Sequence, residues 1–517
     1  GSGATVTFSA TDKGYKIIYL DGVATNTGVY DVNSNLTVGD LTVTGAFEAL
    51  GTIKLDGDYP TGSNNVALGD TALDSVQAGG VSNTAIGSVA GTAITTGDYN
   101  VAIGHEALKT NTTSSCNTSI GSLTLRDNTT GCSNVAVGTN AMLVNTEGCN
   151  NTAVGRTALD ANLTGDRNVA IGLSALGSNT TADCNVAVGQ SALGANTTGA
   201  NNTAVGHLAL LANTTGCENV AMGCGAMGST TSGNRSVAIG NKALSSNTTG
   251  VNNTAVGWCA LESSTEGLGN TAVGYESLEE NTTADNNSAF GYRALNFNLT
   301  GADNTALGTC ALKNNTTASY NTAVGMSALL ANTTAVQNTA TGWCALALNT
   351  TGSYNSSNSA YALRSNTTGA NNTAIGRASL SLNTTGACNT AVGASALYGN
   401  TTAANNTAVG INSLCSNTTG EVNTAIGSSS MVTNTTGFGN TALGKNSLYT
   451  NNGNNNTAVG HEALELNTSG DSNVALGRQA LEANTTASAN TAVGFESLKA
   501  NTTGAENVAV GSTAMTS

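Results

Sequence analysis

The sequence "NTAVGRTALDANLTGDR" occupies residues 151–167, and residues 168–184 repeat it as "NVAIGLSALGSNTTADC". Both stretches place Ala third, Gly fifth, Leu ninth and Asn twelfth, and the same seventeen-residue pattern recurs along most of the chain. A fixed period of this length is typical of solenoids, in which each unit stacks on its neighbours. We call one repeat a coil and number its positions from 1 at the first Asn.

The register of the repeat is nearly unbroken. Position 1 falls at Asn65 and Asn83, then at every seventeenth residue as far as Asn440, and it resumes one residue early at Asn456. The sequence therefore predicts a solenoid shaft over residues 65–517, with 26 complete coils and a truncated last coil.

The first part of the chain lacks this register. Stretches such as "YKIIYL" at residues 15–20 alternate in the manner of strands separated by turns. We expect residues 1–64 to form a small β-rich collar or attachment region.

Positions 1 to 5 predict a short strand, because side chains alternate between its two faces. Thr or Val at position 2 and Val or Ile at position 4 share one face, and Asn, Ala and Gly share the other. A solvent-facing row would tolerate varied residues, yet position 3 is almost always Ala. We expect both faces to be buried, with Val and Leu filling the coil and Ala allowing a second copy of the chain to approach closely.

We expect positions 6 to 15 to form the return segment of each coil, which leads from one strand back to the start of the next. Stretches such as "HEALKT" and "RQALEA" are rich in good helix formers, which favours a single helical turn over a second strand. The Asn-Thr-Thr-Gly that follows suits left-handed backbone conformations. Stacked Asn residues at positions 1 and 12 are expected to form amide ladders along the solenoid.

The composition argues against several classes of protein. The formal net charge of −15 disfavours nucleic-acid partners, which bind basic surfaces. No run reaches the roughly 18 apolar residues of a membrane span, so no membrane insertion is expected. Because 39% of the residues are hydrophobic and recur at fixed positions, the low charged fraction of 9% indicates an ordered repeat rather than disorder.

No residue pattern predicts an enzyme, a cofactor or a metal site. The glycines of "GCGAMG" at residues 223–228 arise from repeat positions and lack the long helix of a dinucleotide loop. His105, His207 and His461 occupy position 6 of distant coils, so they cannot converge within one chain.

One aromatic cluster is a candidate ligand contact. Trp258, Tyr275 and Tyr292 occupy position 6 of three successive coils, which predicts an exposed aromatic ladder. Such a patch suits sugar or peptide ligands. The alternative is that the ladder packs against a neighbouring chain.

One cysteine pair is placed for a disulfide. Cys132 and Cys149 occupy the same position of adjacent coils, within the range of Cα separations that a disulfide spans. The alternative, that both are small side chains on a turn, is favoured. The eleven cysteines cannot all pair within one chain because their number is odd.

The "NTAVG..AL..NTTG" repeat resembles those of phage tail-fibre and marine bacterial surface-fibre proteins, and "SVAIG" at residues 236–240 resembles the head repeats of trimeric autotransporter adhesins. Those heads are trimeric parallel β-rolls. The resemblance implies a mostly β fold, a parallel β-solenoid whose three chains form a parallel homotrimeric rod with the strands around a common axis.

The resemblance also implies a function. We expect a non-enzymatic structural fibre, either a phage tail fibre or virion appendage that recognises a host-surface glycan or protein receptor, or a bacterial extracellular trimeric adhesin. The location would be a virion or the cell surface. Fibres of this kind often carry a C-terminal chaperone that cuts itself off after a Ser, which makes Ser517 a candidate processing site. Ice binding by the recurring Thr-Thr pairs is a further alternative.

Overall fold

The computed structural model describes residues 62–516, which form a parallel β-solenoid. Each coil contributes one strand of three residues at positions 2 to 4, and no helix occurs in this range. The 27 strands, β1 to β27 in chain order, are Val66–Leu68, Thr84–Ile86, Val101–Ile103, Thr118–Ile120, Val135–Val137, Thr152–Val154, Val169–Ile171, Val186–Val188, Thr203–Val205, Val220–Met222, Val237–Ile239, Thr254–Val256, Thr271–Val273, Ser288–Phe290, Thr305–Leu307, Thr322–Val324, Thr339–Thr341, Ser356–Asn358, Thr373–Ile375, Thr390–Val392, Thr407–Val409, Thr424–Ile426, Thr441–Leu443, Thr457–Val459, Val474–Leu476, Thr491–Val493 and Val508–Val510.

Every strand pairs in parallel with the strand of the next coil, so like positions stack on like positions. Ala153 pairs with Ala170, for example, and Val154 with Ile171. The coil that begins at Asn440 is one residue short, yet Thr441 still pairs with Thr457. The missing residue is therefore absorbed by the return of the coil and not by the sheet.

The interior of each coil is narrow and is lined by positions 3, 8 and 9. In the coil at residues 151–167, Ala153, Ala158 and Leu159 are fully buried, whereas Val154 is exposed. The expectation that position 4 fills the coil and position 3 faces a second chain is therefore wrong. Position 3 holds Ala or Ser in every strand, so the side chain that faces this thin core is always small.

The return segment is neither the helical turn that was favoured nor a second strand. Positions 7 and 9 have positive φ, as at Thr157 with 53° and Leu159 with 54°, and a right-handed helix cannot contain such residues. The amide of Thr157 donates to the carbonyl of Thr139 one coil before, and that of Leu159 to Ala175 one coil after. These bonds between coils override the local helix propensity.

Position 5 needs glycine for two reasons. Gly155 has a φ of 138°, which L side chains rarely adopt, and a Cβ there would overlap the backbone of Gly172 in the next coil. Ser359 is the exception and is held at a φ of 131°.

Two rows of buried asparagine run along the solenoid, as expected. At position 12, the Nδ2 of Asn162 donates to the Oδ1 of Asn145 at 2.7 Å and to the carbonyl of Gly165 at 3.0 Å. At position 1, the Nδ2 of Asn151 donates to the same carbonyl at 2.8 Å, and its Oδ1 accepts the amide of Asn168. The amide ladder is side chain to side chain at position 12 and mostly side chain to backbone at position 1.

Candidate functional site

The most extensive surface feature is a continuous row of side chains at position 4, which we call the outward stripe. It is apolar in every strand except β17 and β18, where Thr341 and Asn358 stand. These side chains point away from the coil interior because they alternate with the buried position 3. Members of the stripe are half-buried or exposed, and Ile171 keeps 40% of its surface accessible.

The size of the outward stripe is unusual for a surface that faces water. With 27 strands spaced about 4.8 Å apart, the stripe extends over a distance on the order of 100 Å. A continuous apolar patch on a soluble monomer rarely exceeds a few hundred Å², and larger patches mark interaction surfaces. The stripe is thus a candidate interface.

The aromatic ladder forms as the sequence predicts. Trp258 and Tyr275 have ring centroids 4.9 Å apart with planes inclined by 12°, and Tyr275 and Tyr292 are 5.3 Å apart and inclined by 11°. All three side chains are exposed. The rings stack face to face along the solenoid because position 6 recurs once per coil.

This stacking decides which surfaces of the rings are free. The inner faces are covered by the neighbouring rings, so the ladder presents ring edges along its length. The guanidinium of Arg293 lies over the Tyr292 ring, 5.3 Å from its centroid, in a cation–π contact. A ligand that meets this ladder would contact ring edges more than ring faces.

A charged pair lies beside the ladder. Arg293 Nε donates to Glu276 Oε2 at 2.5 Å across adjacent coils. Burial alone would raise the pKa of the Glu276 carboxyl, but hydrogen bonds from Arg293 and Tyr275 outweigh it and the pKa is lowered. The hydrogen bond to Glu276, followed by burial, raises the pKa of the Tyr275 hydroxyl. The phenol is therefore kept protonated next to a charged carboxylate.

Two groups of side chains could offer ligand atoms to a cation. In each group the ligand atoms lie within 4.8 Å of one another: one comprises Cys259, Glu262 and Glu279, the other Glu462, Glu465 and Glu482. In the first, burial and then the hydrogen bond to Glu262 raise the pKa of the Cys259 thiol to about 12. Glu262 also pairs with Lys242 at 3.2 Å. In the first group, Cys259 and Glu262 therefore already have hydrogen-bonding and ionic partners.

The remaining site residues lie apart or outside the described range. His105, His207 and His461 occupy separate coils, as expected from their spacing. Ser517 lies outside residues 62–516, as does nearly all of the collar expected at residues 1–64.

Fold and surface together define a parallel β-solenoid repeat protein, with one strand and one irregular return per coil. No protein-family model matches the chain, and no curated protein sequence matches it. Within residues 62–516, no helix is long and apolar enough to cross a membrane.

The outward stripe is the feature that sequence reasoning misplaced. A signal was present, because position 3 is restricted to Ala and Ser, whereas position 4 varies from Val to Phe290, Met222 and Asn358. A packed interior constrains side-chain volume, and an open side does not. Variation in size at position 4 thus indicates the side that lies outside the coil.

Proposed function

We propose that this chain is a non-enzymatic structural fibre protein that assembles as a parallel homotrimer through its outward stripe. Its function would be to hold a host-recognition surface away from a virion, as a tail fibre or similar appendage does. A bacterial extracellular trimeric adhesin is the alternative with the same architecture. The location would accordingly be a virion or the cell surface.

The single observation that carries this proposal is the outward stripe. A second copy of the chain is the partner that matches it best, because the stripe repeats with the same spacing in every copy. In a parallel assembly with rotational symmetry, position 4 of one chain meets position 4 of the others at the same level. Burying apolar side chains contributes roughly 25 cal/mol per Å². This stabilisation of the assembly would recur at nearly every coil.

The number of chains follows from the resemblance to trimeric heads. Three stripes around a common axis would enclose a mixed set of apolar side chains. Thr341 and Asn358 would interrupt this apolar axis at β17 and β18. Two chains facing each other would be the competing arrangement.

Light scattering of the purified protein tests the assembly. We expect a mass about three times that of the 51.0 kDa chain. Three lysines on the stripe, at Ile171→Lys, Met222→Lys and Ile239→Lys, should give a folded monomer because these positions are exposed in one chain. A wild-type monomer would contradict the proposal, and a dimer would contradict the threefold arrangement.

Three exposed leucines elsewhere provide a matched control. Leu163, Leu268 and Leu299 are exposed by 41%, 43% and 40%, as much as the three stripe residues, but lie at positions 13 and 16. Their joint replacement by Lys should leave the trimer intact. Dissociation of this control would show that added charge, and not loss of the stripe, separates the chains.

For receptor recognition we propose the aromatic ladder. Replacing Trp258, Tyr275 and Tyr292 by Ala should lower binding of a labelled trimer to a panel of bacterial surface polysaccharides and proteins by about tenfold or more. The variant Trp343→Ala/Tyr361→Ala removes a second aromatic pair, at 4.8 Å, and should bind normally. If the ladder variant instead loses assembly, the rings serve packing between chains.

For attachment we propose residues 1–64, which would join the fibre to a virion or a cell surface.

Ice binding is the competing function, and the regular rows of threonine are the observation in its favour. The position-13 hydroxyls, however, are already used: Thr180 Oγ1 donates to the carbonyl of Thr197 at 3.2 Å, and Thr197 Oγ1 to Thr214 at 2.9 Å. Thermal hysteresis of the purified protein would favour ice binding over the fibre.

A further inference from the structure

A pair of cysteines lies between two adjacent coils on the return side of the solenoid. The Sγ atoms of Cys132 and Cys149 are 2.9 Å apart, and both residues are partly accessible. Both occupy position 16, so their Cα atoms lie about one strand spacing, ~4.8 Å, apart. That separation falls within the range of roughly 4.4–6.8 Å found for disulfides.

In other coils the side chain at position 16 forms a hydrogen bond to the preceding coil. Its side chain accepts a hydrogen bond from the position-16 amide of the preceding coil, as Asp166 Oδ1 accepts the amide of Cys149 and Asn234 Oδ1 that of Cys217, both at 2.7 Å. Where Cys149 stands, the acceptor for the Cys132 amide is sulfur. Thiol sulfur is a weak acceptor. As a thiol, Cys149 is therefore a poor substitute for the oxygen acceptors of this row.

We propose that Cys132 and Cys149 form an intrachain disulfide that cross-links two adjacent coils. The bond closes a loop of one repeat and joins the two coils covalently where the position-16 acceptor is a thiol sulfur instead of an oxygen. The proposal does not depend on the fibre function, because it rests on the contact within one chain.

The chemistry needs an oxidant, which we take to be a small-molecule disulfide such as oxidised glutathione. One cysteine thiolate attacks it, forms a mixed disulfide and releases one glutathione thiolate. The second cysteine thiolate then attacks the protein sulfur of the mixed disulfide and releases the second. The two cysteines lose two electrons and two protons, and the oxidant is reduced to two thiols.

The surroundings of the pair set its pH dependence. Burial, and then the hydrogen bond with Cys132, raise the pKa of the Cys149 thiol to about 11. Because the thiolate is the reactive form, oxidation should be slow near pH 7 and should accelerate as the pH rises.

Peptide mapping tests the proposal. Trypsin cleaves after Arg126 and Arg156 but nowhere between them, so one peptide contains both cysteines. The reduced protein is incubated with oxidised glutathione, and free thiols are then alkylated with N-ethylmaleimide before digestion. We expect this peptide without alkyl groups and lighter by two hydrogen atoms than the reduced peptide. The oxidised protein should also melt at a higher temperature than the reduced one.

Matched variants keep the test decisive. Cys149→Ser should leave Cys132 alkylated and abolish the increase in melting temperature, whereas Cys217→Ser should change neither result. Cys217 also occupies position 16, but its neighbours in that row are Ala200 and Asn234. Recovery of both Cys132 and Cys149 as alkylated thiols or as separate glutathione adducts would overturn the proposal. So would chains linked to one another through either residue on a non-reducing gel.

Discussion

The two sides of each three-residue strand differ in what they tolerate. The inward side holds Ala at position 3 in all strands but two, where Ser119 and Ser357 each donate a hydrogen bond to a carbonyl of their own coil. The outward side accepts Val, Ile, Leu, Met and Phe, and even Thr341 and Asn358. One side is restricted in volume, and the other is restricted mainly in polarity.

The difference shows how a coil this thin is stabilised. The interior has room for two small side chains and one Leu or Met in nearly every coil, and in the coil that begins at Asn83 the buried Ile94 takes the place of the leucine, where position 9 is Gly91. Most of the larger apolar side chains of the strands are left outside. A solenoid of this kind is complete as a core, yet leaves an apolar row for a partner.

Overpacking the inward side should have the largest effect. Ala204→Leu places three extra carbons where Ala204 is fully buried, and we expect a loss of about 3 kcal/mol or more in local stability. Thermal unfolding followed by circular dichroism, with limited proteolysis to locate the damage, measures it. The neighbouring substitution Val205→Leu on the outward side should leave one chain's stability almost unchanged. Equal losses in the two variants would mean that the sides do not differ in volume restriction.

Replacing the glycine that follows the strand should cause the second-largest loss of stability. Gly240 has a φ of 138°, and a Cβ there would overlap the carbonyl of Gly257. Gly240→Ala should cost about 1–3 kcal/mol. In the same fold, Gly225 at position 7 has a φ of 64° with open space around its Cβ position, so Gly225→Ala should cost less than about 1 kcal/mol. Urea unfolding of the two variants compares them, and a reversed order would refute the steric reason.

Restoring the asparagine ladder at position 12 should give a smaller effect, here an increase in stability. Ser264 stands at position 12 in place of Asn, and both its hydroxyl and the Oδ1 of Asn247 in the coil before are buried without a protein hydrogen-bond partner. Ser264→Asn should restore both bonds and raise the stability by about 1 kcal/mol. A melting temperature that does not rise would show that these two unpaired groups do not lower the stability.

The charged pair near the ladder should have the smallest effect. The folded-state pKa of Glu276 is lowered, so its contribution is present above its unfolded pKa and is lost as the pH falls through the folded one. Stability of the wild type should therefore decrease more steeply on acidification than that of Glu276→Gln. Parallel pH curves for the two proteins would show that the ion pair with Arg293 contributes nothing.

Much of the fold could be predicted from the period of the repeat. A constant spacing requires that like residues stack, and it thereby predicts parallel strands, the aromatic ladder and the asparagine rows. The prediction of a helical turn was wrong because the backbone of stretches such as "HEALKT" forms hydrogen bonds to neighbouring coils. Helix propensity describes only local sequence and does not take such bonds into account. The outward stripe was missed because an alternating pattern defines two faces without stating which is inside.

The sequence by itself determined the coil length, the strand positions, the small residue at position 3 and the glycine at position 5, since these repeat in almost every unit. Only the tertiary structure decided which face of the strand became the interior. That choice depends on the direction in which positions 6 to 15 fold back, and in the structure they cover the Ala side of the strand and leave the Val side exposed. The alternating pattern is the same for both directions, and hydrogen bonds between coils select one of them.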